Sequence, residues 1–292
     1  MKKPKIAVFS GASGGWLGTK LATRLDANMI RADIADAHRV GMILDAYKPD
    51  VIVNCVGRAG PPTAQRGRAD IPQNIDWCNL NDATRWETVR SNVLGVRILA
   101  AACSARGIKI YHLSSGCIFD GPSPGPDGWR ETDEPAPVSF YGRTKVDGER
   151  ELPPDACIIR LRLPVDREPH PRNLIDKLIR YEKVIDVENS VTVIPSLLDA
   201  VAVLIKADAS GIFHVTNPRP VRHTEILEWY RRYVDASHRY ELVPAGAIST
   251  LASEGRSNCV LDTSKLERYI SLPPADQAIR ACLVAYRQSL QA

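Results

Sequence analysis

The 292-residue sequence lacks several things, and each shortage closes off a class of function. No apolar run approaches the roughly 20 residues that a membrane-spanning helix needs. Met1-Lys-Lys-Pro-Lys5 leads straight into a strand pattern without the apolar stretch of a secretion signal, so a cytoplasmic location is expected. Charge of one sign is scarce: 38 Lys and Arg against 34 Asp and Glu leave a formal net charge of +4. That is too small and too dispersed for a nucleic-acid reader, yet it suits an anionic small molecule. The cysteines, at 55, 78, 103, 117, 157, 259 and 282, are odd in number and include no Cys-x-x-Cys pair, which argues against a disulfide framework and against zinc. Six histidines without i, i+4 ligand spacing make a metal site unexpected. Internal repeats and low-complexity tracts are missing too. What remains, 44% apolar and 25% charged residues, is ordinary globular composition.

Strand and helix signals alternate through the first half, which predicts a parallel sheet with helices on both faces. Lys5 to Phe9 reads as a buried strand, Ser10-Gly-Ala-Ser-Gly-Gly-Trp-Leu-Gly18 as a tight glycine turn, and Thr19 to Leu25 as the helix behind it. Val40, Ile43, Leu44 and Tyr47 recur at helical spacing and stop at Pro49; Val51 to Val56 is a second buried strand. Trp86, Val89, Val93, Val96, Leu99 and Cys103 mark a long helix, and strands are expected at Ile108 to Leu113 and Ala156 to Leu161. Beyond Pro164 the order becomes irregular: a helix from Arg172 to Glu182, two short strands between Val184 and Ile194, a helix from Leu197, a strand at Gly211 to Val215, and helices from Thr224 and Ala275. The expected architecture is α/β, a doubly wound parallel sheet over residues 1–165 with returning segments near 191–215. A smaller α/β lobe, from 166–190 and 216–292, closes a substrate cleft. The Pro/Arg-rich stretch Arg58 to Asn74 reads as a solvated insertion in preference to a lid.

The chemistry concentrates in His112-Leu-Ser-Ser-Gly-Cys-Ile-Phe-Asp-Gly121 and Tyr141-Gly-Arg-Thr-Lys145. A helical Tyr-x-x-x-Lys pair puts phenol and ammonium on one face, where the cation is expected to lower the phenol pKa. This is the spacing that carbonyl reduction requires, and Ser115, on the loop after a buried strand, would hold the carbonyl oxygen alongside the phenol. The glycine turn at a helix start offers unpaired amides to a pyrophosphate. Together these residues resemble a short-chain dehydrogenase/reductase in its extended form. The resemblance implies a Rossmann-type domain and a nicotinamide cofactor held by Gly11, Ser13, Gly14, Gly15, Trp16, Leu17, Gly18, Cys55, Val56, Gly57, Tyr141 and Lys145. Asn92 resembles the asparagine that braces the active site in extended members, and Ala32-Asp33-Ile34 the segment beside adenine. The glycine turn departs from the family's spacing by one residue. No acidic residue is clearly placed to bind a ribose 2′-hydroxyl, whereas Arg31 is near enough for a 2′-phosphate, so NADPH is favoured, with NADH as the other possibility.

A narrower resemblance runs through Val53-Asn-Cys-Val-Gly57, Asn74-Ile-Asp-Trp-Cys78, Ser115-Gly-Cys-Ile-Phe119, Ser139-Phe-Tyr-Gly-Arg-Thr-Lys145, the stretch from Pro171 to Val184, Thr216-Asn-Pro218 and Arg256-Ser-Asn258. These segments are similar to the dTDP-4-dehydrorhamnose reductase group, and more so to the bifunctional synthases that epimerise and then reduce 4-keto-6-deoxy nucleotide sugars. In that group, reduction-only members generally carry Asp-Tyr where this chain has Gly116-Cys117; bifunctional ones have a cysteine there and a lysine matching Lys177. Inversion beside a carbonyl needs a base on one ring face and a proton donor on the other. The resemblance therefore implies Ser115, Tyr141, Lys145, Cys117 and Lys177 as catalytic, Arg172, Asn173 and Arg256 as substrate-binding, and a nucleotide-diphosphate sugar as ligand, and it leaves a homodimer open. A 4-reductase without epimerase activity and a noncatalytic NADP-binding regulatory subunit of the same fold are the competing readings.

Overall fold

The computed structural model describes residues 4–11, 15–247 and 252–291. Ser13 and Gly14, two of the expected cofactor-binding residues, lie outside them. Strands β1 (Ile6–Ser10), β2 (Asn28–Arg31), β3 (Val51–Asn54), β4 (Lys109–Ser115) and β5 (Cys157–Leu161) alternate with helices α1 (Trp16–Leu25), α2 (Ala37–Tyr47), α3 (Asp82–Val89), α4 (Gly95–Ser104) and α5 (Phe140–Arg150). Four short elements follow: β6 (Pro164–Val165), α6 (Leu174–Leu178), β7 (Lys183–Ile185) and β8 (Glu188–Asn189). Then come β9 (Thr192–Val193), α7 (Ile194–Lys206), β10 (Gly211–His214), β11 (Val221–Arg222), α8 (His223–Tyr233) and a C-terminal helix, Ala275–Ser289.

The central sheet is parallel in the order β10-β5-β4-β3-β1-β2. Strands β1 and β3 are near-continuous apolar runs because both faces of the sheet are covered there. Leu21, Ala22 and Leu25 of α1 pack with Leu197, Val201 and Leu204 of α7 on one face. Val40 and Leu44 of α2 pack with Val96, Leu99 and Cys103 of α4 on the other. The chain leaves β1 for the β2 edge and then crosses back to β3, so the winding reverses between β1 and β3, where open α/β sheets bind ligands at their carboxyl ends. A separate core, with Leu174, Ile175 and Leu178 of α6, Ile226 and Leu227 of α8, and Ile279 and Leu283 of the C-terminal helix, builds the smaller part over that edge.

Two expected helices are corrected. The long helix through Trp86 is interrupted by a π turn at Arg90–Leu94, and Trp86 is 59% exposed. The buried face is Thr84, Thr88, Asn92 and Val96, in steps of four, because the wide turn absorbs extra chain and a 3.6-residue period run back from α4 names the wrong residue. The helix expected from Arg172 to Glu182 is the single turn and a half of α6, and Tyr181, beyond its end, is exposed. Helix α5 is capped by Ser139, whose Oγ accepts from the Gly142 N–H at 3.1 Å. It lies so close to the π turn that a Cβ at Gly148 would come 2.1 Å from the Asn92 carbonyl oxygen.

Candidate active site

A cleft of about 810 Å³ opens at the carboxyl edge of β1, β3 and β4, and Ser115, Cys117, Tyr141, Lys145, Arg172, Lys177 and Arg256 all line it. Ser115 ends β4, and its Oγ accepts the backbone N–H of Cys117 at 3.1 Å, which fixes the turn that presents the sulfur. The buried Lys145 ammonium donates to the Leu113 carbonyl at 3.1 Å and stands 3.4 Å from His112 Nε2. Burial pushes Lys145 down to about 8. Asn54 Oδ1 accepts from the Val56 N–H, so its amide nitrogen donates to His112 Nδ1 at 3.0 Å. The imidazole is thus held between Asn54 at Nδ1 and the Lys145 ammonium at Nε2. Burial, with the nearby Lys145 charge, holds His112 well below the usual histidine range.

The phenol of Tyr141 departs from expectation. Its pKa is raised, first by burial and then by the neighbouring Cys117, while a hydrogen bond from Ser115 pulls the other way. Lys145 is engaged with Leu113 and His112, so the expected lowering by the cation gives way to desolvation.

Cys117 and Lys177 come from different elements, the loop after β4 and helix α6, and open on the same cleft. Lys177 is pushed down to about 8 by burial and by repulsion from Arg172, and Cys117 opposes the shift. Arg162, just past β5, donates through Nη1 to Cys117 Sγ at 3.3 Å.

The three expected substrate contacts divide. Arg172 is half-buried, its guanidinium has no hydrogen-bond or ion-pair partner among the described residues, and burial together with Arg66 lowers it to about 10. Asn173 is corrected: it is fully buried, caps α6 by accepting from Ile175, also accepts from the Asp166 N–H, and donates to the Asp166 and Glu168 carbonyls. No capacity is left for a ligand. Arg256 reaches the cleft but is held in a two-pronged pair by Asp76, at 2.8 and 2.6 Å.

Of the residues expected to hold a cofactor, Gly15, Trp16, Leu17, Cys55, Val56 and Gly57 line the cleft. The Gly15 N–H donates to Ser10 Oγ at 2.5 Å, and the Trp16 ring stacks on His170 at 4.4 Å. Lys20 reaches Asp166 at 2.9 Å and Glu168 at 2.8 Å, so the segment after β6 rests on the start of α1. Gly11 follows β1, and Gly18 is buried in α1. Arg31 ends β2 exposed, while Asp33 pairs with Arg90 at 2.6 Å and the Ile34 side chain is buried in the core beneath. Asn92 lies in the π turn, where it accepts from the Arg58 N–H, donates to the Arg58 carbonyl and donates to Thr144. The insertion after Gly57 is exposed over much of its length, yet Ala59, Asn74 and Ile75 form part of the cleft wall.

His112, Asn54, Thr144, Asp76 and Arg162 contact these groups without an individual contact having been expected from sequence, where Asn54 was placed only at the ligand-facing end of its strand. For the first two a signal existed: Asn54 ends an otherwise apolar strand, and His112 interrupts the apolar middle of its own. Among the described residues no cluster of metal-ligating side chains occurs and no helix is long and apolar enough to cross a membrane.

Residues 75–288 match the RmlD substrate binding domain family. The chain belongs to that family. Among its relatives, the bifunctional dTDP-4-dehydrorhamnose 3,5-epimerase/dTDP-4-dehydrorhamnose reductase of Arabidopsis thaliana is 33% identical over 87% of this chain and 84% of its own length. A trifunctional UDP-glucose 4,6-dehydratase/UDP-4-keto-6-deoxy-D-glucose 3,5-epimerase/UDP-4-keto-L-rhamnose-reductase of the same plant is 30% identical over 98% of this chain, which spans only 42% of that longer protein. In structure, this RmlD-family chain superposes on the L780 UDP-rhamnose synthase of Acanthamoeba polyphaga mimivirus with a TM-score of 0.85 at 25% identity, covering 96% and 99% of the two chains. A dTDP-4-dehydrorhamnose reductase of Bacillus anthracis in complex with NADP gives 0.76 at 20% identity over 96% and 98%, a likeness of fold.

Proposed function

We propose that this chain converts a nucleotide-linked 4-keto-6-deoxyhexose into a 6-deoxy sugar of rhamnose type, inverting C3 and C5 and then reducing C4 with NADPH. The observation that carries the reading is that Cys117 and Lys177 face the same cleft as Ser115, Tyr141 and Lys145. The bifunctional and trifunctional relatives, whose names pair epimerase with reductase, support it.

The strip from Gly15–Leu17 past Cys55–Gly57 to Tyr141 and Lys145 fits an extended dinucleotide, and the first turn of α1 carries no acidic residue to repel its pyrophosphate. When bound, the nicotinamide supplies the hydride. The protein's own groups do the rest: Ser115 and Tyr141 hold the C4 oxygen, Cys117 and Lys177 move protons at the adjacent carbons, and Arg172 receives the diphosphate. During reduction Tyr141 gives the C4 oxygen its proton, which ends the activation that epimerisation depends on.

The test is to incubate the protein in D2O with NADPH and the UDP- or dTDP-linked 4-keto-6-deoxyglucose and to read the product by NMR. Deuterium at C3 and C5 with the rhamnose configuration is expected. Cys117→Ala and Lys177→Ala should each lose complete inversion, yet still oxidise NADPH when given the already epimerised 4-keto-rhamnose nucleotide. Reduction without solvent deuterium at either carbon would leave a 4-reductase alone.

A further inference from the structure

Two arginines leave the end of β5 one residue apart, and their surroundings differ in kind. Arg160 is 2% exposed and is neutralised by Glu149, Nη2 to Oε2 at 2.6 Å. Arg162 is 1% exposed, and among the described residues no carboxylate comes within ion-pair distance of it. Its Nη1 donates to Cys117 Sγ at 3.3 Å and to Ser257 Oγ at 2.9 Å; its Nη2 donates to Asn189 Oδ1 and to the Ser257 carbonyl; its Nε has no partner. A guanidinium stays charged at any pH a protein survives, and a buried charge requires compensation. Of these partners, the Cys117 sulfur is the one that can take up a negative charge near neutral pH.

We propose that Arg162 is the counter-ion of Cys117, holding its sulfur as a thiolate poised to take a proton from the sugar. The proposal rests on the epimerase reading for its purpose but not for its test. The other groups around the pair are compatible with it. Lys177 of α6 adds positive charge, Tyr141 of α5 and Cys259 are neutral neighbours, and Asp120 faces Cys259. On the far side of the guanidinium, His223 of α8 is lowered to about 4 by burial and by Arg162, so it adds no charge. In the proposed step the Cys117 sulfur forms an S–H bond as the C–H bond beside the carbonyl breaks. The electron pair passes into an enolate whose oxygen is held by Tyr141 and Ser115, and the Lys177 ammonium protonates the opposite face. Exchange with solvent then returns a proton to Lys177 and takes one from Cys117. Arg162 touches neither sugar nor cofactor in this scheme; it is a positioning residue.

The experiment is peptide-resolved alkylation of the intact protein by iodoacetamide between pH 5 and 10, with no sugar present. Cys117 lines the cleft, so reagent reaches it. The quantity read is the pH midpoint of alkylation at Cys117, compared with that of a free-thiol peptide under the same conditions. Arg162→Met should raise that midpoint by about one unit or more, Arg162→Lys should restore part of the difference, and Lys177→Met should move it by less than half as much as Arg162→Met. A wild-type midpoint at or above that of a free thiol overturns the proposal even if both Arg162 variants fail to fold. An unmoved midpoint in a folded Arg162 variant, or a shift from Lys177→Met as large as that from Arg162→Met, overturns it as well. The deuterium experiment decides the epimerase reading separately, so failure of either leaves the other readable.

Discussion

Asn92 donates from Nδ2 to Thr144 Oγ1 at 3.0 Å, and thereby ties the π turn to the helix that carries Tyr141 and Lys145. The same side chain holds both backbone groups of Arg58, at 2.6 and 2.9 Å, and so spans from α5 to the rim after β3. Asn92→Leu strands these groups, at a cost of about 1–3 kcal/mol for each buried polar group left unpaired. The melting temperature should fall by roughly 3–8 °C, and turnover should fall at least about tenfold as Tyr141 loosens. Thr144→Val, which breaks one link, should do less on both scales. Calorimetry and initial rates on the two variants check this; full turnover in a destabilised Asn92→Leu would confine the clamp to stability.

Tyr141→Phe should abolish reduction and spare cofactor binding. The change deletes one proton donor and leaves the strip from Gly15 to Gly57 untouched. A loss of at least about a hundredfold in turnover, with a dissociation constant for NADPH within threefold of the parent, is the expected outcome. Turnover within tenfold of the parent would remove the phenol from the mechanism.

Arg31 stands exposed at the end of β2, with no hydrogen-bond or ion-pair partner among the described residues. If it meets the 2′-phosphate, NADPH is preferred over NADH, and Arg31→Ala should cut that preference by about tenfold or more, the equivalent of roughly 1.5–3 kcal/mol for a charged hydrogen bond. The ratio of kcat/KM for the two cofactors, measured in parent and variant, decides it.

Acid should destabilise the fold before any carboxylate titrates. Burial first, aided by nearby cations, lowers His170 and His223 to about 4, His214 to about 3, and His112 well below its ordinary value. Each stays neutral in the folded chain and takes a proton in the unfolded one near pH 6.5, so unfolding takes up protons as the pH falls. The histidine contribution is fully present above pH 6.5 and is lost progressively from there through pH 4 and on to about pH 3. Melting temperatures at pH 7, 6 and 5 should therefore decline in that order; a flat series would mean that these rings titrate normally.

Much of the site was legible because it is local. Ser115 and Cys117 sit two residues apart on one strand end, and Tyr141 and Lys145 one turn apart on one helix, so spacing alone brings each pair together. The buried strands were equally plain as apolar runs. What escaped the sequence depends on partners far along the chain. Arg256 meets Asp76 across 180 positions, and Arg162 meets Ser257 across 95. A lone arginine after a strand gives no hint that it points inward. Asn173 looked like a ligand group beside Arg172 until its amide was seen to be spent on capping α6. The phenol of Tyr141 shifted the opposite way from expectation because desolvation depends on three-dimensional enclosure, which residue spacing does not record.

Gly148 touches no part of the cleft, yet the Asn92 carbonyl leaves no room there for even a methyl group. Because the obstacle is backbone, it cannot swing aside as a side chain would, and any substitution must push α5 outward, taking Tyr141 and Lys145 with it. In a saturation library selected for turnover, position 148 would thus be as intolerant as Tyr141 itself, and a survey of mutational fitness would score an inert glycine alongside the residues of the cleft.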